Sequence, residues 1–597
     1  MASCCPGQMV EAMTSLTFRT FASTFALALA VGLASPAAAQ TAEPMPDAAG
    51  NDVVTPDVVT PDQVTVPEVG AAIEAAPAVD APVIDAPTVQ PHTQSLPSAI
   101  AALVASEAVG KTGDLKRRAD AVAKFYGARA DAPVWLDHGV FTANARAVIA
   151  RLGAAADDGL DPADFALPDA DFNAEAADAA AAAAQEVGLS LAIATFAEQA
   201  SGGRLVPTSI YKDITRTPER IAGFKALGLV AAATDPVAAL DGFNPPEPAF
   251  AHLKAKLKEL RATAAGPAEA PVVLSRTIKP GMSDPGIPAL RQRLGVPEAD
   301  DPQAELVYDE TLAAAVEMFQ TENGLAADGV VGGRTLSVLN KNSGDLAGDI
   351  VANMEMWRWM PRDLGRDYVF VNVPEFMVRV YRGGQEVHEA RSVVGKTTNQ
   401  TPIFSGEMQY LVVNPYWNVP ESIKIKEMLP EIKADPVGYF SRHGYEATWN
   451  GQVIDPARII WDENAVKAVG IRQVPGEANA LGHIKFMFPN QHAVYLHDTP
   501  MRKLFGRDVR AFSHGCVRVD DPMSFAAAVL DGDPNWNVPK LQALFGGPEQ
   551  RIDISTHLKV HIAYFTVNVA DNGAVQVFDD IYGHVQRIKA AFRRSQI

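Results

Sequence analysis

Two short stretches decide how this chain is read: Val494-Tyr495-Leu496-His497-Asp498-Thr499 and Ser513-His514-Gly515-Cys516-Val517-Arg518-Val519. A thiol attacks a carbonyl as thiolate, so it needs a neighbouring imidazole or cation to lower its pKa. The same imidazole can then protonate a leaving amine. His497 and Cys516 supply such a pair. Gly515 lets the backbone turn tightly just before the sulfur, so that nearby N–H groups can point at a developing oxyanion. Arg518, two residues on, adds a fixed cation able to bind a substrate carboxylate or to hold the loop.

The cysteine count sharpens this reading. The chain has three cysteines, and Cys4 and Cys5 lie in the N-terminal segment expected to be removed. Arg19 precedes an apolar run over residues 21–33, and Ala37-Ala38-Ala39 supplies the small residues of a cleavage site. Cleavage there would leave Cys516 as the single thiol of an exported protein, with no partner for an internal disulfide. The net charge of −20 argues against nucleic acid as the main partner, which requires a basic face. It leaves room for a small-peptide or wall substrate, where a few local cations suffice.

Outward from the two stretches, strand periodicity covers 368–373, 377–381 and 409–414, with a turn at Arg382-Gly383-Gly384-Gln385. Residues from about 421 to 475 alternate short helical and loop pieces, which reads as an insertion into the sheet domain. Residues 551–583 again read as strands, with a hairpin turn at Asp571-Asn572-Gly573. Further upstream the pattern is helical and Ala-rich, with Leu189, Ile193, Phe196 and Ala200 at one-face spacing. Over 274–340, Ile287, Leu290 and Leu294 make one apolar stripe and Leu312, Val316 and Phe319 another, predicting three short helices. Residues 41–95 hold no lysine, arginine or aromatic residue and are dense in proline, which predicts a disordered or extended tether.

Several strings carry a family resemblance. Ser513-His514-Gly515-Cys516-Val517-Arg518 resembles the Ser/Thr-His-Gly-Cys-x-Arg signature of the L,D-transpeptidase (YkuD-type) catalytic domain, and the spacing from His497 to Cys516 is similar to that family's. Trp417-Asn418-Val419-Pro420, Tyr495-Leu496-His497-Asp498-Thr499-Pro500 and the segment from Arg472 to Asn490 resemble the large YcbB-type subgroup. Phe319-Gln320, Gly324-Leu325, Asp328-Gly329-Val330, Thr335-Leu336 and Leu339-Asn340 resemble peptidoglycan-binding domain 1. The fold class implied is multidomain α+β: a helical scaffold with a small three-helix peptidoglycan-binding-like module, followed by a β-rich L,D-transpeptidase catalytic domain with an inserted cap. The boundaries expected are a signal peptide at 1–39, a disordered Pro/Ala/Val-rich segment at 40–95, and the scaffold at 96–270. The module follows at 274–340, the catalytic domain at 366–546 with its cap at about 421–475, and a C-terminal β/helical extension at 547–597.

The resemblance implies roles residue by residue. Cys516 is the nucleophile and His497 the general base, then acid. The backbone carbonyl of Asp498 orients His497, and backbone N–H groups at Gly515 and Cys516 form the oxyanion hole, with the Tyr495 hydroxyl beside them. Arg518, Tyr495, His514, Trp417, Arg472 and Lys485 are the substrate-binding candidates. No metal and no cofactor is implied. The histidines His483, His492, His497 and His514 fall on no His-x-x-x-His helix. The implied partners are peptidoglycan stem peptides, with a second stem or an outer-membrane protein as acyl acceptor, in the periplasm. Two other readings stay open on the sequence: an L,D-carboxypeptidase or cysteine peptidase that uses water, and a non-catalytic wall-binding protein.

Overall fold

A computed structural model of the chain describes residues 95–107, 111–173, 178–263, 271–299, 301–323, 325–341 and 346–594. The expectations for 1–39, and for all of 40–95 but Ser95, lie outside these residues. The helical region is built around Ala179–Gly202, flanked by Leu96–Glu107, Gly113–Gly127 and Gly223–Ala232. Leu189, Ile193, Phe196 and Ala200 are all fully buried. This helix is apolar and long enough to span a bilayer, but its window is 61% buried among other elements, as a core helix is. The strands β1 (Leu136–Asp137) and β2 (Val140–Phe141) form a small hairpin beside it. The buried Glu186 carboxylate holds that hairpin's start, accepting the N–H groups of Trp135 and Leu136 and the hydroxyl of Tyr126.

Helices Pro248–Thr263 and Leu346–Arg358 pack on each other, and the small module is inserted between them in sequence. Its helices Ile287–Arg293, Glu310–Glu322 and Gly333–Lys341 share a core of Ile287, Leu290, Leu312, Val316, Val331 and Leu339. The motif residues hold its turn together. Gln320 accepts the N–H of Gly329 at 2.9 Å and donates to Asp328 and Thr335 at 3.0 and 3.2 Å.

The β-rich part closes on itself. Its strands are β3 (Tyr368–Asn372), β4 (Met377–Arg382), β5 (Gln385–Gly395), β6 (Ser405–Val413), β11 (Ile484–Met487), β12 (Leu496–His497), β14 (Val517–Val519) and β15 (Gln550–Ala563). They pair in the order β5-β14-β12-β11-β6-β15-β3-β4, and β4 pairs back onto β5, so this ring has no free edge. A further strand, β13 (Ala511–Ser513), adds to the end of β5 in parallel. Alternate residues such as Val369, Val371, Val378 and Val380 face inward and are fully buried. The expected boundary at 546–547 cuts this sheet. Strand β15 pairs with both β3 and β6, so it is a wall of this ring and not an extension of it. Its long-range pairing leaves no local mark in the sequence. After β15 in the chain come the hairpin β16 (Val567–Val569) and β17 (Val575–Val577) and the helix His584–Arg594.

The insertion has its own core, made by Val419, Ile423, Ile432, Phe440, Trp461, Val466 and Ile471. It also has its own sheet, which the expectation of helices and loops missed. Strands β7 (Trp417–Asn418), β8 (Tyr445–Trp449), β9 (Gln452–Ile454) and β10 (Gly470–Gln473) pair in the order β7-β10-β8-β9. These strands are two to five residues long and only partly buried, too short for a periodic signal.

Candidate active site

Three neighbouring strands of the ring bring the chemistry together. Strand β12 lies between β11 and β14, so His497 has Lys485 opposite it on one side and Arg518 on the other. Cys516 immediately precedes β14, and the N–H of Val517 donates to the carbonyl of Tyr495 at 3.2 Å. The loop carrying Cys516 is fastened at several points. Gly515 has φ 119°, a region that favours glycine. Ser513 Oγ donates to the carbonyl of Cys516 and accepts from the N–H of Gly515. Thr401 Oγ1 donates to the carbonyl of Gly515 at 2.9 Å and accepts from the N–H of Gly395. Tyr582 braces the same corner, donating its hydroxyl to the carbonyl of Gly395 at 2.5 Å and accepting from the N–H of Thr401.

His497 is buried, and its Nδ1 lies 2.5 Å from the carbonyl oxygen of Asp498. A carbonyl only accepts, so Nδ1 carries the proton and Nε2 is left as the base. The Asp498 carboxylate serves the loop, accepting from the N–H groups of His483 and Thr499 and from Arg502. Burial, assisted by the charges of Arg518 and Lys485, pushes the His497 imidazole down to about 3 against the pull of the Asp498 carbonyl. Burial pushes the Cys516 thiol up, and it outweighs the hydrogen bonds from the backbone and hydroxyl of Tyr495 and the charge of Arg518. The resting pair is therefore a neutral thiol and a neutral imidazole. The sequence reading expected a thiol lowered by its neighbours; those neighbours are present, but desolvation prevails.

Cys516, His497, Tyr495, His514, Trp417 and Arg518 line one cavity of about 660 Å³. Arg518 is partly buried there; Nη1 lies 3.2 Å from Met501 Sδ, and Nε has no hydrogen-bond partner. Such a guanidinium suits an incoming carboxylate. Two of the expected substrate residues stand elsewhere. Arg472 is held on the cap sheet by Glu446 at 2.7 Å and lies over the ring of Tyr416. Lys485 lies behind His497, 3.7 Å from Glu549, and contributes its charge and not a cavity wall. The N–H of Gly515, expected at the oxyanion, is taken by Ser513 Oγ at 3.1 Å. The donors at the sulfur are the backbone and the hydroxyl of Tyr495.

Four contributing residues escaped sequence reading: Thr401, Tyr582, Glu427 and Lys396. Glu427 comes from the cap, in the π-turn Lys424–Met428, and lines the same cavity. His514 Nε2 lies 2.6 Å from Glu427 Oε1, and Lys396 Nζ lies 3.4 Å from the same oxygen. No spacing rule links residues so far apart in the chain.

Parts of the chain are similar to known families and proteins. Residues 366–538 match the YkuD model, described as L,D-transpeptidase catalytic domain. Residues 120–257 match a scaffold domain, and residues 289–339 match a "Putative peptidoglycan binding domain". A protein of Haemophilus influenzae named "Putative L,D-transpeptidase" is 36% identical over 226 residues, which are 37% of this chain and 45% of that protein. The chain thus spans less than half the length of that relative. Among solved structures, an L,D-transpeptidase from Mycobacterium smegmatis covers 33% of this chain and 58% of its own at 11% identity, with a TM-score of 0.17. One from Xylanimonas cellulosilytica covers 49% of this chain and 98% of its own at 15% identity, with a TM-score of 0.15. The chain thus carries a region, 366–538, that matches the YkuD L,D-transpeptidase catalytic domain, behind one, 289–339, that matches a peptidoglycan-binding domain.

Proposed function

We propose that this protein is a cysteine acyltransferase that remodels peptidoglycan through a thioester on Cys516. The observation carrying this reading is the pairing of the one thiol of the described residues with a Nδ1-anchored imidazole in one cavity. In the first step His497 Nε2 takes the Cys516 proton as Sγ attacks the carbonyl of the third residue of a tetrapeptide stem. The N–H of Cys516 and the Tyr495 hydroxyl stabilise the oxyanion. The C–N bond to D-Ala then breaks, the imidazolium protonates the leaving amine, and the acyl group remains on sulfur. An amine of a second stem, or of an outer-membrane protein, attacks the thioester and returns the thiol. Arg518 holds a stem carboxylate, and the cap limits access of water.

The substrate lies outside the cytoplasm, so this reading places the enzyme in the periplasm, with residues 21–33 as the segment directing export. The module at 289–339 would hold the chain near the wall. Incubation with a purified disaccharide-tetrapeptide tests the reading. Release of D-Ala with formation of a cross-linked dimer supports it; an unchanged substrate contradicts it.

A further inference from the structure

The catalytic cavity is lined mostly by apolar and neutral groups, and it has two charged poles. Arg518 is its one guanidinium, and Glu427 is its one carboxylate among the described residues. Glu427 stands on the cap, and the turn carrying it is pinned from behind: Lys424 Nζ donates to the carbonyls of Val466 and Val469 at 2.6 and 2.9 Å. Its Oε1 receives His514 Nε2 at 2.6 Å, while Oε2 makes no hydrogen bond to the described residues. A primary ammonium already rests against this carboxylate, that of Lys396 at 3.4 Å. Despite its partial burial, the His514 and Lys396 contacts hold the Glu427 carboxyl below the ordinary carboxylate range, so it is anionic at neutral pH.

We propose that Glu427 is the docking group for the acyl acceptor, binding a primary ammonium in place of Lys396 and beside the thioester on Cys516. This rests on the acyl-transfer reading above and adds to it the choice between amine and water. A carboxylate on the cap selects a cationic acceptor by charge and leaves water without an equivalent hold. The docked ammonium releases one proton to solvent, and its lone pair forms the C–N bond to the thioester carbonyl. The C–S bond breaks with its electron pair on Cys516 Sγ. The second N–H proton passes to His497 Nε2 and from there to sulfur, which restores the neutral thiol and imidazole. His514, donating to Glu427, is the positioning residue that fixes the carboxylate relative to the nucleophile loop.

The test is the partition of the acyl-enzyme between transfer and hydrolysis, a ratio in which the acylation step cancels. The full enzyme is given a tetrapeptide donor and either a cationic acceptor, a diamino-acid side chain, or hydroxylamine, which is uncharged at neutral pH. In Glu427→Gln the KM for the cationic acceptor rises on the order of tenfold or more, as expected for loss of a charge-assisted contact. Partition to hydroxylamine stays as in the parent, and Glu427→Asp recovers part of the loss. Lys396→Met lowers the KM for the cationic acceptor, because the resident ammonium no longer competes. Equal loss toward both nucleophiles in Glu427→Gln would make Glu427 a cap latch alone and overturn the proposal. So would an unchanged partition toward the cationic acceptor. A parent enzyme that forms no thioester at all would overturn the acyl-transfer reading first and this inference with it.

Discussion

The Nδ1 of His497 and the carbonyl oxygen of Asp498, its own neighbour in sequence, lie 2.5 Å apart at the end of strand β12. One backbone group thus sets the tautomer of this imidazole, with no carboxylate needed as the orienting partner. An Asp side chain does follow the histidine, but it is spent on His483, Thr499 and Arg502. The orientation is therefore written into the strand itself.

His497→Ala is expected to lower acylation of Cys516 by roughly 10²–10⁴, the worth of a positioned acid–base group. His514→Ala is expected to cost less at this step, since its ring pairs with Glu427 and not with the sulfur. Single-turnover acylation by a carbapenem measures both. A larger loss in the His514 variant would reverse the two roles.

The pH dependence should depart from that of a preformed thiolate–imidazolium pair. With His497 held down to about 3, the base stays neutral, and so competent, throughout the physiological range. With Cys516 raised, alkylation of the free enzyme by iodoacetamide should climb only above the ordinary thiol range. An inflection near pH 6.5 that disappears in His497→Ala would show an ion pair and contradict the neutral ground state.

Acid should destabilise the fold through histidines buried in neutral form. Burial pushes His561 down to about 4, and it pushes His584 and His497 to about 3. Their stabilising contribution is fully present above the unfolded value of about 6.5 and is lost as pH falls toward those folded values. Three extra protons on the unfolded chain correspond to a loss of up to about 4 kcal/mol per pH unit. Urea midpoints between pH 7.5 and 5 should fall, and His584→Phe should reduce the slope. A flat profile would show that these rings are solvated.

Tyr582→Phe removes a hydroxyl that joins Gly395 and Thr401 beneath the nucleophile loop. The expected cost is about 1–3 kcal/mol of stability from the buried groups left unpaired. Acylation should also slow, because Thr401 is the donor to Gly515. Denaturant unfolding together with carbapenem acylation checks both effects. Unchanged values in both would remove Tyr582 from the support of the site.

The juxtaposition of Cys516 with His497, and the contact of His497 with the Asp498 carbonyl, were legible in the sequence because these residues sit within two short motifs whose spacing is local. The three helices of the module were legible for the same reason: stripes such as Leu312 and Val316 repeat within one turn or two. What escaped depends on closure of the ring and on the cap. Strand β15 joins the catalytic sheet through pairing with β3, nearly two hundred residues upstream. Tyr582 reaches Gly395 across a gap of 187 residues, and Glu427 reaches His514 across one of 87. Arg472 and Lys485 show the converse. Both lie in strings that resemble the family, yet their nearest partners are Glu446 and Glu549. The depressed base and raised thiol could not be read either, since burial is a property of the assembled cavity.

The central claim is that Cys516 carries the acyl group, and intact-mass analysis of the enzyme quenched during turnover of a tetrapeptide stem tests it most directly. A mass increase equal to the stem without its D-Ala, localised to Cys516 and released by an added amine, is the expected result. Turnover with no adduct in the parent, or an adduct that persists in Cys516→Ser, would contradict it.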